Sequence, residues 1–449
     1  MTFTTFEDVL DHLDHLGLFH MDFELNRMRA GLEALGLTRQ STFRIVQVVG
    51  TNGKGSTSTF LASLARAHGL RVGLYTSPHF ITPRERIRIN DRMLEAEAWP
   101  ALANRIMSVA PDLTYFEFLT ALGLLAFQEA GVDLVVMEAG LGGRYDATTA
   151  MPVDAVCFVP IDLDHQKILG DTIAAIATDK AQAIRPGVPV YTAPQPQEAL
   201  DVLRLVAGQK NALLMETAGL PLPSFPLGLA GPHQRSNART ALTAWKDLAA
   251  RFGWPVREEA IAQGLASARL PGRFQFLKGL DGLPPVILDG AHNPHGLRAL
   301  AAAMDDARIL PAAVIFSCLG DKAVDEMLPL ITHVAGEAPL FIPTVQDNER
   351  AISGEILASR LLEGRTGHTE AVQRLSVALA AVQKLNPPAS AEHPVLICGS
   401  LYLLGEFFTL HPEALELPGV PFLPGKPEAH SPEPETGETP CASDQRTVQ

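Results

Sequence analysis

Residues 48–57 read VVGTNGKGST, a stretch that is close to a phosphate-binding P-loop. In a strict loop of this kind Ser or Thr directly follows the lysine, and its hydroxyl binds the magnesium ion that accompanies the nucleotide. Here Gly55 follows Lys54, and Ser56 stands one position later. The stretch therefore predicts a nucleotide site, and it leaves open which residues hold the metal.

The residues around this loop predict alternating strands and helices. RIVQVV (44–49) is a short apolar run, and STFLASLARAHG (58–69) repeats its apolar residues with helical spacing. Similar short runs at 71–76, 133–138 and 154–159 predict further strands. Such alternation is typical of a parallel sheet covered by helices, with the loop between the end of a strand and a helix N-terminus. An ordinary glycine turn is the plainer alternative.

Length and a second set of strands predict two domains. A chain of 449 residues is too long for one compact core. After about residue 270 the apolar runs PPVILDG, AAVIFSCLG, APLFIPT and PVLICGS begin a new series. We predict an α/β protein in which residues 1–270 form a P-loop-containing, parallel-sheet ATP-binding domain and residues 271–416 form a smaller, Rossmann-like α/β domain. Residues 417–449 are rich in Pro, Glu, Gly and Ser, which predicts a disordered tail.

Composition narrows the class of protein further. The net charge of −14 argues against a nucleic-acid-binding surface. No apolar run is long enough to span a membrane, and the N-terminus carries carboxylates where a signal peptide needs basic residues. The four cysteines show no metal-binding spacing. We therefore expect a cytoplasmic protein with neither a nucleic-acid nor a membrane partner.

Side chains that follow other strands are candidate metal ligands. Glu138 ends the run DLVVME, and a hard divalent cation prefers such oxygen ligands. His165 directly follows the acidic pair Asp162 and Asp164, beyond a predicted strand. Lys180 lies in a predicted helix, and spacing alone gives it no role. A turn-stabilising acid, a structural imidazole and a solvated lysine are the plainer alternatives, and they stay open.

A series of motifs resembles the folylpolyglutamate synthases and the bifunctional dihydrofolate synthase/folylpolyglutamate synthases, which are relatives of the Mur ligases. Many motifs in one order are more specific than any single motif, and they lie between about residue 20 and residue 406. They are GTNGKGS (50–56), YTSPHF (75–80), ERIRIN (85–90), FEFLTALGLLAF (116–127), MEAGLGGRYDAT (137–148), DHQKILGDTIAAIATDKA (164–181), HQRSNARTAL (233–242), LPGRFQ (270–275), DGAHNPHG (289–296), LGDK (319–322) and CGSLYLLGE (398–406).

The resemblance implies a role for individual residues. Two magnesium ions are expected, with metal ligands at Ser77, Glu138 and His165. The ATP contacts would be Thr51, Asn52, Gly53, Lys54, Gly55, Ser56, Asn237, Arg273 and Asp289. The pterin and pteroate contacts would fall near Phe116, Glu117, Tyr145 and Asp146. The catalytic residues would be Lys54, Lys180 and His292, and Lys180 matches a lysine that is carbamylated in the family.

The chain departs from the family pattern at three places. The usual EKAG around the carbamylated lysine is DKAQ here, with Asp179 and Gln182 as the changed residues. The usual RLDATN is RYDATT, which introduces Tyr145 and Thr149, and the DKD of the second domain ends in Ala323. We expect these changes to be drift within the family.

Two further stretches bear on the substrate. In ERIRIN, Arg86 and Arg88 would lie on one strand face, where they could bind substrate carboxylates or could simply be solvated. The segment LFHMDFELNRM (18–28) resembles one that helps to bind dihydropteroate in bifunctional members, and it keeps Asp22 and Arg27. Dihydrofolate synthase activity is therefore plausible.

The implied activity is ATP-dependent amide ligation by a monomer. L-glutamate would be added to (tetrahydro)folate, and to dihydropteroate, through an acyl phosphate. One alternative is a Mur-type ligase that acts on a cell-wall nucleotide precursor, against which TSPHF and FEFLTAL argue. The other is a P-loop ATPase that ligates nothing, against which DGAHNPHG in the second domain argues.

Overall fold

The computed structural model describes residues 2–17, 24–37, 43–280, 282–362 and 364–416. The tail predicted at 417–449 and the Asp22 position lie outside the described residues. Among the helices in the described ranges, none is both long enough and apolar enough to cross a bilayer.

The first of two sheets is built around the strand that leads into the phosphate loop. Its strands are β1 (Arg44–Val49), β2 (Val72–Tyr75), β3 (Ile87–Ile89), β4 (Arg92–Met93), β5 (Leu134–Glu138), β6 (Ala155–Phe158), β7 (Val190–Thr192) and β8 (Leu214–Glu216). Their order across the sheet is β4-β3-β2-β5-β1-β6-β7-β8. All pairings are parallel except those of β3 with β2 and with β4.

Helices cover both faces of this sheet. They are α1 (Phe6–Leu16), α2 (Asn26–Ala34), α3 (Lys54–Ala67), α4 (Trp99–Val109), α5 (Tyr115–Glu129), α6 (Gln166–Leu169), α7 (Ile173–Lys180), α8 (Gln197–Gln209), α9 (Pro232–Phe252) and α10 (Glu258–Ser267). Successive side chains of β1 point to opposite faces, so Ile45 and Val49 join one core while Val46 and Val48 join the other. Burial on both faces explains why the strand is apolar almost throughout.

The second sheet has six strands. They are β9 (Gln275–Leu277), β10 (Val286–Asp289), β11 (Ala313–Phe316), β12 (Leu340–Pro343), β13 (Thr369–Val372) and β14 (Val395–Cys398), in the order β13-β12-β11-β14-β10-β9. Only β9 pairs antiparallel among these described strands. The helices are α11 (Pro294–Ala307), α12 (Val324–Ala335), α13 (Gly354–Leu362), α14 (Leu375–Val382) and α15 (Leu401–Leu410).

The predicted α/β class and the main strands are confirmed. The run at 44–49 forms β1, and the apolar runs of the second series form β10, β11, β12 and β14. The region after residue 186, in which prolines recur, contributes the short strands β7 and β8 and the helix α8 between them, and β8 lies at the sheet edge. The antiparallel pairings at the edges were not predicted. The two sheets lie on either side of residue 270, where the domain division stays a prediction.

Strand order places four chain segments at one edge of the first sheet. β2, β5, β1 and β6 are consecutive neighbours and run parallel, so their carboxyl ends meet. Ser77 follows β2, Glu138 ends β5, the phosphate loop follows β1, and His165 follows β6. The fold therefore brings the predicted metal ligands to the predicted phosphate loop.

Candidate active site

The phosphate loop has the backbone conformation that its glycines predict. Helix α3 begins at Lys54 and is preceded by Gly53 in the left-handed region, with φ of 93°. A Cβ atom at Gly53 would lie 2.7 Å from Asn237 Oδ1 of α9, so only glycine fits beside that amide. The first-turn N–H groups of α3 lack intrahelical acceptors, and they line the cleft with positive partial charge.

Part of the loop is held by the protein itself. The backbone N–H groups of Thr51 and Asn52 both donate to the Pro160 carbonyl, at 2.9 and 3.3 Å. The Thr51 hydroxyl bonds to the backbone of Asp162. Thr51 and Asn52 line the cleft with the rest of the loop, and the ATP contacts predicted there stay predictions.

Two lysines converge on the loop. Lys54 Nζ donates to the carbonyls of Gly50 and Thr51, and Lys180 Nζ donates to the same Gly50 carbonyl at 2.9 Å. Lys180 is only 4% exposed. Burial, with the nearby charge of Lys54, lowers the pKa of Lys180 to about 7. A lysine at the end of α7 thus lies beside the loop as an amine that is partly neutral at physiological pH.

Glu138 faces the loop from the neighbouring strand. A Cβ atom at Gly55 would lie 3.5 Å from Glu138 Oε2, and the Ser77 N–H donates to the same oxygen at 3.0 Å. Burial raises the pKa of Glu138, although Lys54 and other cations of the cleft oppose the shift. A cation that binds here would therefore stabilise the ionised carboxylate.

His165 approaches the same edge from beyond β6. It has φ of 52° and its Nε2 lies 3.9 Å from Asp164 Oδ2. Desolvation lowers the pKa of His165 to about 4, and nearby lysines add to this shift although Asp164 opposes it. The imidazole is therefore neutral at physiological pH, which is the form that binds metals.

The side chains of Ser77, Glu138 and His165 suit magnesium only if phosphate oxygens of the nucleotide complete the set of ligands. Within the described ranges no three His, Cys, Asp or Glu side chains converge as a metal cluster. Magnesium is commonly bound by one or two carboxylates together with phosphate and water oxygens. Glu138 fits that pattern as the carboxylate, and Ser77 and His165 follow the neighbouring strands at the same sheet edge.

The displaced Ser56 has a protein partner. It lies in the first turn of α3 and is buried, and its hydroxyl accepts a hydrogen bond from Gln234 Nε2 at 3.3 Å. Gln234 also accepts from the Asn237 amide, so the start of α9 is bound to the loop through side chains. The sequence did not predict a role for Gln234. The residue lies in the motif HQRSNARTAL, but its spacing from other residues is not distinctive.

Two of the predicted substrate contacts are acids that already have several hydrogen-bond donors. Asp146 is buried, accepts the backbone N–H groups of Gly140 and Leu141, and also binds Thr148. Glu117 Oε2 accepts from the backbone and hydroxyl of Thr114 and forms a 2.8 Å ion pair with Arg27. Both carboxylates stabilise the walls of the cleft.

The aromatic substrate candidates, Phe116 and Tyr145, both line the cleft. Phe116 lines the cleft, with its ring 5.9 Å from that of Tyr75. Tyr145 lies at the rim with the Arg144 guanidinium 4.9 Å from its ring centroid. These rings give the cleft an apolar wall that suits a flat heterocycle.

The second domain contributes the opposite wall. Arg273 and His292 line the cleft, and His292 Nδ1 donates to the Gly290 carbonyl at 2.7 Å. Burial lowers the pKa of His292 to about 4. Asp289 accepts the N–H groups of Phe274 and Ala291, one on each oxygen, so it fixes the linker.

Several polar contacts across the cleft were not predicted. Lys322 Nζ lies 2.9 Å from Asp164 Oδ1, and His295 Nδ1 lies 2.9 Å from Asp162 Oδ2. Asn293 caps α11 and also donates to Asn52 of the loop at 3.2 Å. The motifs LGDK and DGAHNPHG contain these residues, but only the placement of the two sheets shows their partners.

The departures around Lys180 leave its position intact. Asp179 Oδ1 accepts the Gly143 N–H at 2.9 Å, so the shorter acid holds the glycine-rich turn. Gln182 lies in the 3₁₀ turn after α7, and its side chain donates to the carbonyl of Thr178 in the last turn of that helix. Neither residue displaces Lys180 from the Gly50 carbonyl.

All these walls enclose one cleft of about 700 Å³. It is lined by the loop, by Ser77, Glu138 and His165, and by Arg273 and His292 of the second domain. A cleft of this size can take a nucleotide beside a second small molecule.

Comparisons with known proteins agree with this arrangement. The family described as "Mur ligase, glutamate ligase domain" matches residues 272–401. The dihydrofolate synthase/folylpolyglutamate synthase of Escherichia coli is 33% identical over 424 residues, which cover 88% of this chain and 92% of that protein. A probable bifunctional folylpolyglutamate synthase/dihydropteroate synthase of Haloferax volcanii is 35% identical over 395 residues. The match covers 80% of this chain, which spans about half (45%) of that longer relative.

A solved structure matches over both sheets. It is the bifunctional folylpolyglutamate synthase/dihydrofolate synthase of Yersinia pestis complexed with AMPPNP and Mn ion, 30% identical with a TM-score of 0.78. The match covers 91% of this chain and 98% of that chain. The fold and the cleft thus define a protein of the Mur ligase class. Within that class, the chain belongs to the folylpolyglutamate synthase and dihydrofolate synthase family.

Proposed function

We propose that this protein uses ATP to join L-glutamate to the carboxylate of a reduced folate and to that of dihydropteroate. The observation that carries the proposal is the convergence of Lys54, Glu138 and Lys180 at one sheet edge, opposite His292 and Arg273. The names of the relatives in Escherichia coli and Yersinia pestis support the substrates.

The loop supplies the phosphate site. The N-terminus of α3 and the ammonium of Lys54 offer positive charge to the outer phosphates of ATP. Magnesium, held by Glu138 with Ser77 and His165, would neutralise phosphate charge there. The substrate carboxylate attacks the γ-phosphorus to give an acyl phosphate and ADP, and the glutamate amine then displaces phosphate from the acyl carbon.

Lys180 is the residue whose environment best suits carbamylation. Carbamylation by carbon dioxide needs the neutral amine, and burial lowers the pKa of Lys180 to about 7. Carbamylation replaces a buried cation beside Lys54 with an anion, which removes the repulsion between the two ammonium groups. We infer that the modified side chain takes part in binding a second magnesium ion.

His292 is better suited to orient the glutamate amine than to act as the general base that accepts its proton. Its Nδ1–H is directed at the Gly290 carbonyl, which makes Nε2 the acceptor. With a pKa of about 4 the imidazole is a weak base at physiological pH. A hydrogen bond from the glutamate amine to Nε2 would align the amine for attack.

The second domain has a further role in excluding water. An acyl phosphate hydrolyses readily, so the cleft must be closed while it exists. The pairs Lys322–Asp164 and His295–Asp162 connect the second domain to the chain just before His165. We infer that these contacts hold the closed form, and that the protein acts as a cytoplasmic monomer.

The test is phosphate release with ATP and magnesium, with products identified by mass. Tetrahydrofolate plus glutamate and dihydropteroate plus glutamate are compared, each with either substrate omitted. Turnover that needs both substrates, with a glutamylated product in each case, is the expected result. ATP hydrolysis that needs neither substrate would contradict the ligase, and turnover with tetrahydrofolate alone would remove the dihydrofolate synthase activity.

A further inference from the structure

Arg86 is a buried cation on the wall of the cleft, outside the site residues assigned above. It ends a 3₁₀ turn, Pro83–Arg86, and is only 4% exposed. Its carbonyl accepts the Thr76 N–H at 3.0 Å, which fixes it directly beside Ser77. Arg86 therefore lies at the edge of the sheet where the phosphate loop and Glu138 meet.

Arg86 has no acidic partner among the residues that the structure describes. No Asp or Glu of these ranges lies within ion-pair distance of it, although Glu138 is near enough for Arg86 to lower its pKa. A buried guanidinium is normally paired with a carboxylate or phosphate, because desolvating an unpaired charge is costly. Its side chain lines the cleft, so the missing anion can come from a ligand.

His79 determines which edge of the guanidinium is available. Arg86 Nε donates to His79 Nδ1 at 2.8 Å, and the Tyr115 ring centroid lies 5.8 Å from Arg86 Cζ. A guanidinium N–H can only donate, so His79 Nδ1 is the acceptor of this bond and carries no proton. With Nε occupied, the two Nη groups remain as a fork for a planar anion.

The position of the fork indicates which anion it binds. Phe116, Tyr115 and Arg86 all line the cleft, and Ser77 and Glu138 lie beside the phosphate loop. A flat heterocycle against the aromatic rings would direct its carboxylate toward the loop, past Arg86. Arg88, two residues later, lies on β3, donates to the Asp91 carbonyl and does not line the cleft.

We propose that Arg86 binds the reacting carboxylate of the pteroate or folate substrate, and that His79 is a positioning residue that orients its guanidinium. The proposal rests on the ligase function stated above, and it adds the group that holds the carboxylate for attack on ATP. Neutralising that carboxylate beside the phosphates also reduces the repulsion between two anions that must approach each other.

The test compares the binding of pteroate with that of its carboxamide, by calorimetry and without ATP. The wild-type protein prefers the carboxylate, and Arg86→Gln loses about tenfold to hundredfold in affinity for pteroate with no change for the carboxamide. Arg86→Lys keeps the charge but not the fork, so it keeps only part of the preference. Arg88→Gln is the matched control and retains the full preference.

His79 is tested through the same preference. His79→Phe removes the acceptor and reduces the preference for the carboxylate, whereas His79→Gln keeps an acceptor oxygen and restores it. Unchanged ADP affinity and melting temperature in each variant show that the fold is intact. A preference that survives in Arg86→Gln, or one that the wild type lacks, overturns the proposal. Failure of the ligase function is seen separately, as the absence of glutamylated product from the wild type.

Discussion

Glu138 and Asp146 are both buried carboxylates on one wall of the cleft, yet they are used in opposite ways. Asp146 accepts hydrogen bonds on both oxygens, from two backbone N–H groups and from Thr148. Glu138 accepts one backbone N–H on Oε2 and lies against the phosphate loop. Burial raises the pKa of both groups, so the number of local hydrogen-bond donors, and not the direction of the pKa shift, distinguishes Asp146 from the proposed metal ligand Glu138.

The largest effect is expected for Glu138→Gln. The change removes the anionic oxygen that faces the loop but keeps the side-chain volume, so kcat/KM for ligation falls by at least about a hundredfold. Phosphate release with both substrates present measures this loss. A variant that retains more than a tenth of the activity would contradict the assignment of Glu138 as a metal ligand.

The same variant has a pH-dependent effect on stability. Folding raises the pKa of Glu138 above the unfolded value, so the ionised carboxylate destabilises the fold above the folded pKa. The cost disappears below the unfolded pKa, where both states are protonated. In metal-free buffer Glu138→Gln should therefore be more stable than wild type at pH 7 and equal to it in acid, as measured by urea unfolding.

Lys180 is expected to show the next effect. Lys180→Met should lower kcat/KM by about tenfold or more if its carbamate binds metal. At fixed dissolved ¹³CO₂, a carbamate signal in the wild type should increase as the pH rises through about 7, where the amine loses its proton. A signal that increases only near pH 10, or one that persists in Lys180→Met, would argue against this residue.

Lys322 tests the contacts across the cleft. Lys322→Met removes the ion pair with Asp164 and should lower kcat/KM about tenfold while leaving ATP binding to the first domain unchanged. Small-angle scattering should show a more open average shape. Lys246→Met, on the exposed face of α9, is the matched control. Equal activity and shape in the two variants would mean that the pair does not hold the domains closed.

Of these variants, Asp146→Asn is expected to have the smallest effect on catalysis, in contrast to Glu138→Gln. The amide cannot accept on both of its terminal atoms, so unfolding should become easier by about 2 kcal/mol. The kcat/KM per folded molecule should stay within about threefold of wild type. Chemical unfolding and activity on the same sample separate these quantities, and a hundredfold loss of activity at unchanged stability would place Asp146 in substrate binding.

Much of the first domain follows from the sequence because its signals are local. The apolar run before Gly50, the glycines and the helical spacing after Lys54 define a strand, a loop and a helix. Parallel pairing places Ser77, Glu138 and His165 at the same edge of the sheet, whereas their metal-binding role came from the resemblance and stays a prediction. The role predicted for Lys180 came only from the family resemblance, because the spacing of residues in the sequence does not indicate it.

The remainder depends on contacts between distant segments. The partners of Lys322 and His295 follow only from how the two sheets are placed. Asp146 and Asp289 accept hydrogen bonds from backbone N–H groups of nearby loops. These bonds depend on the folded geometry of the loops, so the motifs that contain the two residues could not predict them. β13 was missed because TEAV is short and partly exposed, without an apolar run.

The central claim is that this cleft activates a substrate carboxylate by phosphorylation. The most direct measurement supplies dihydropteroate labelled with ¹⁸O in its carboxylate, together with ATP and glutamate, and analyses the released phosphate by mass. Passage through an acyl phosphate transfers one labelled oxygen to phosphate for each amide bond formed. Amide product formed with unlabelled phosphate would contradict the account.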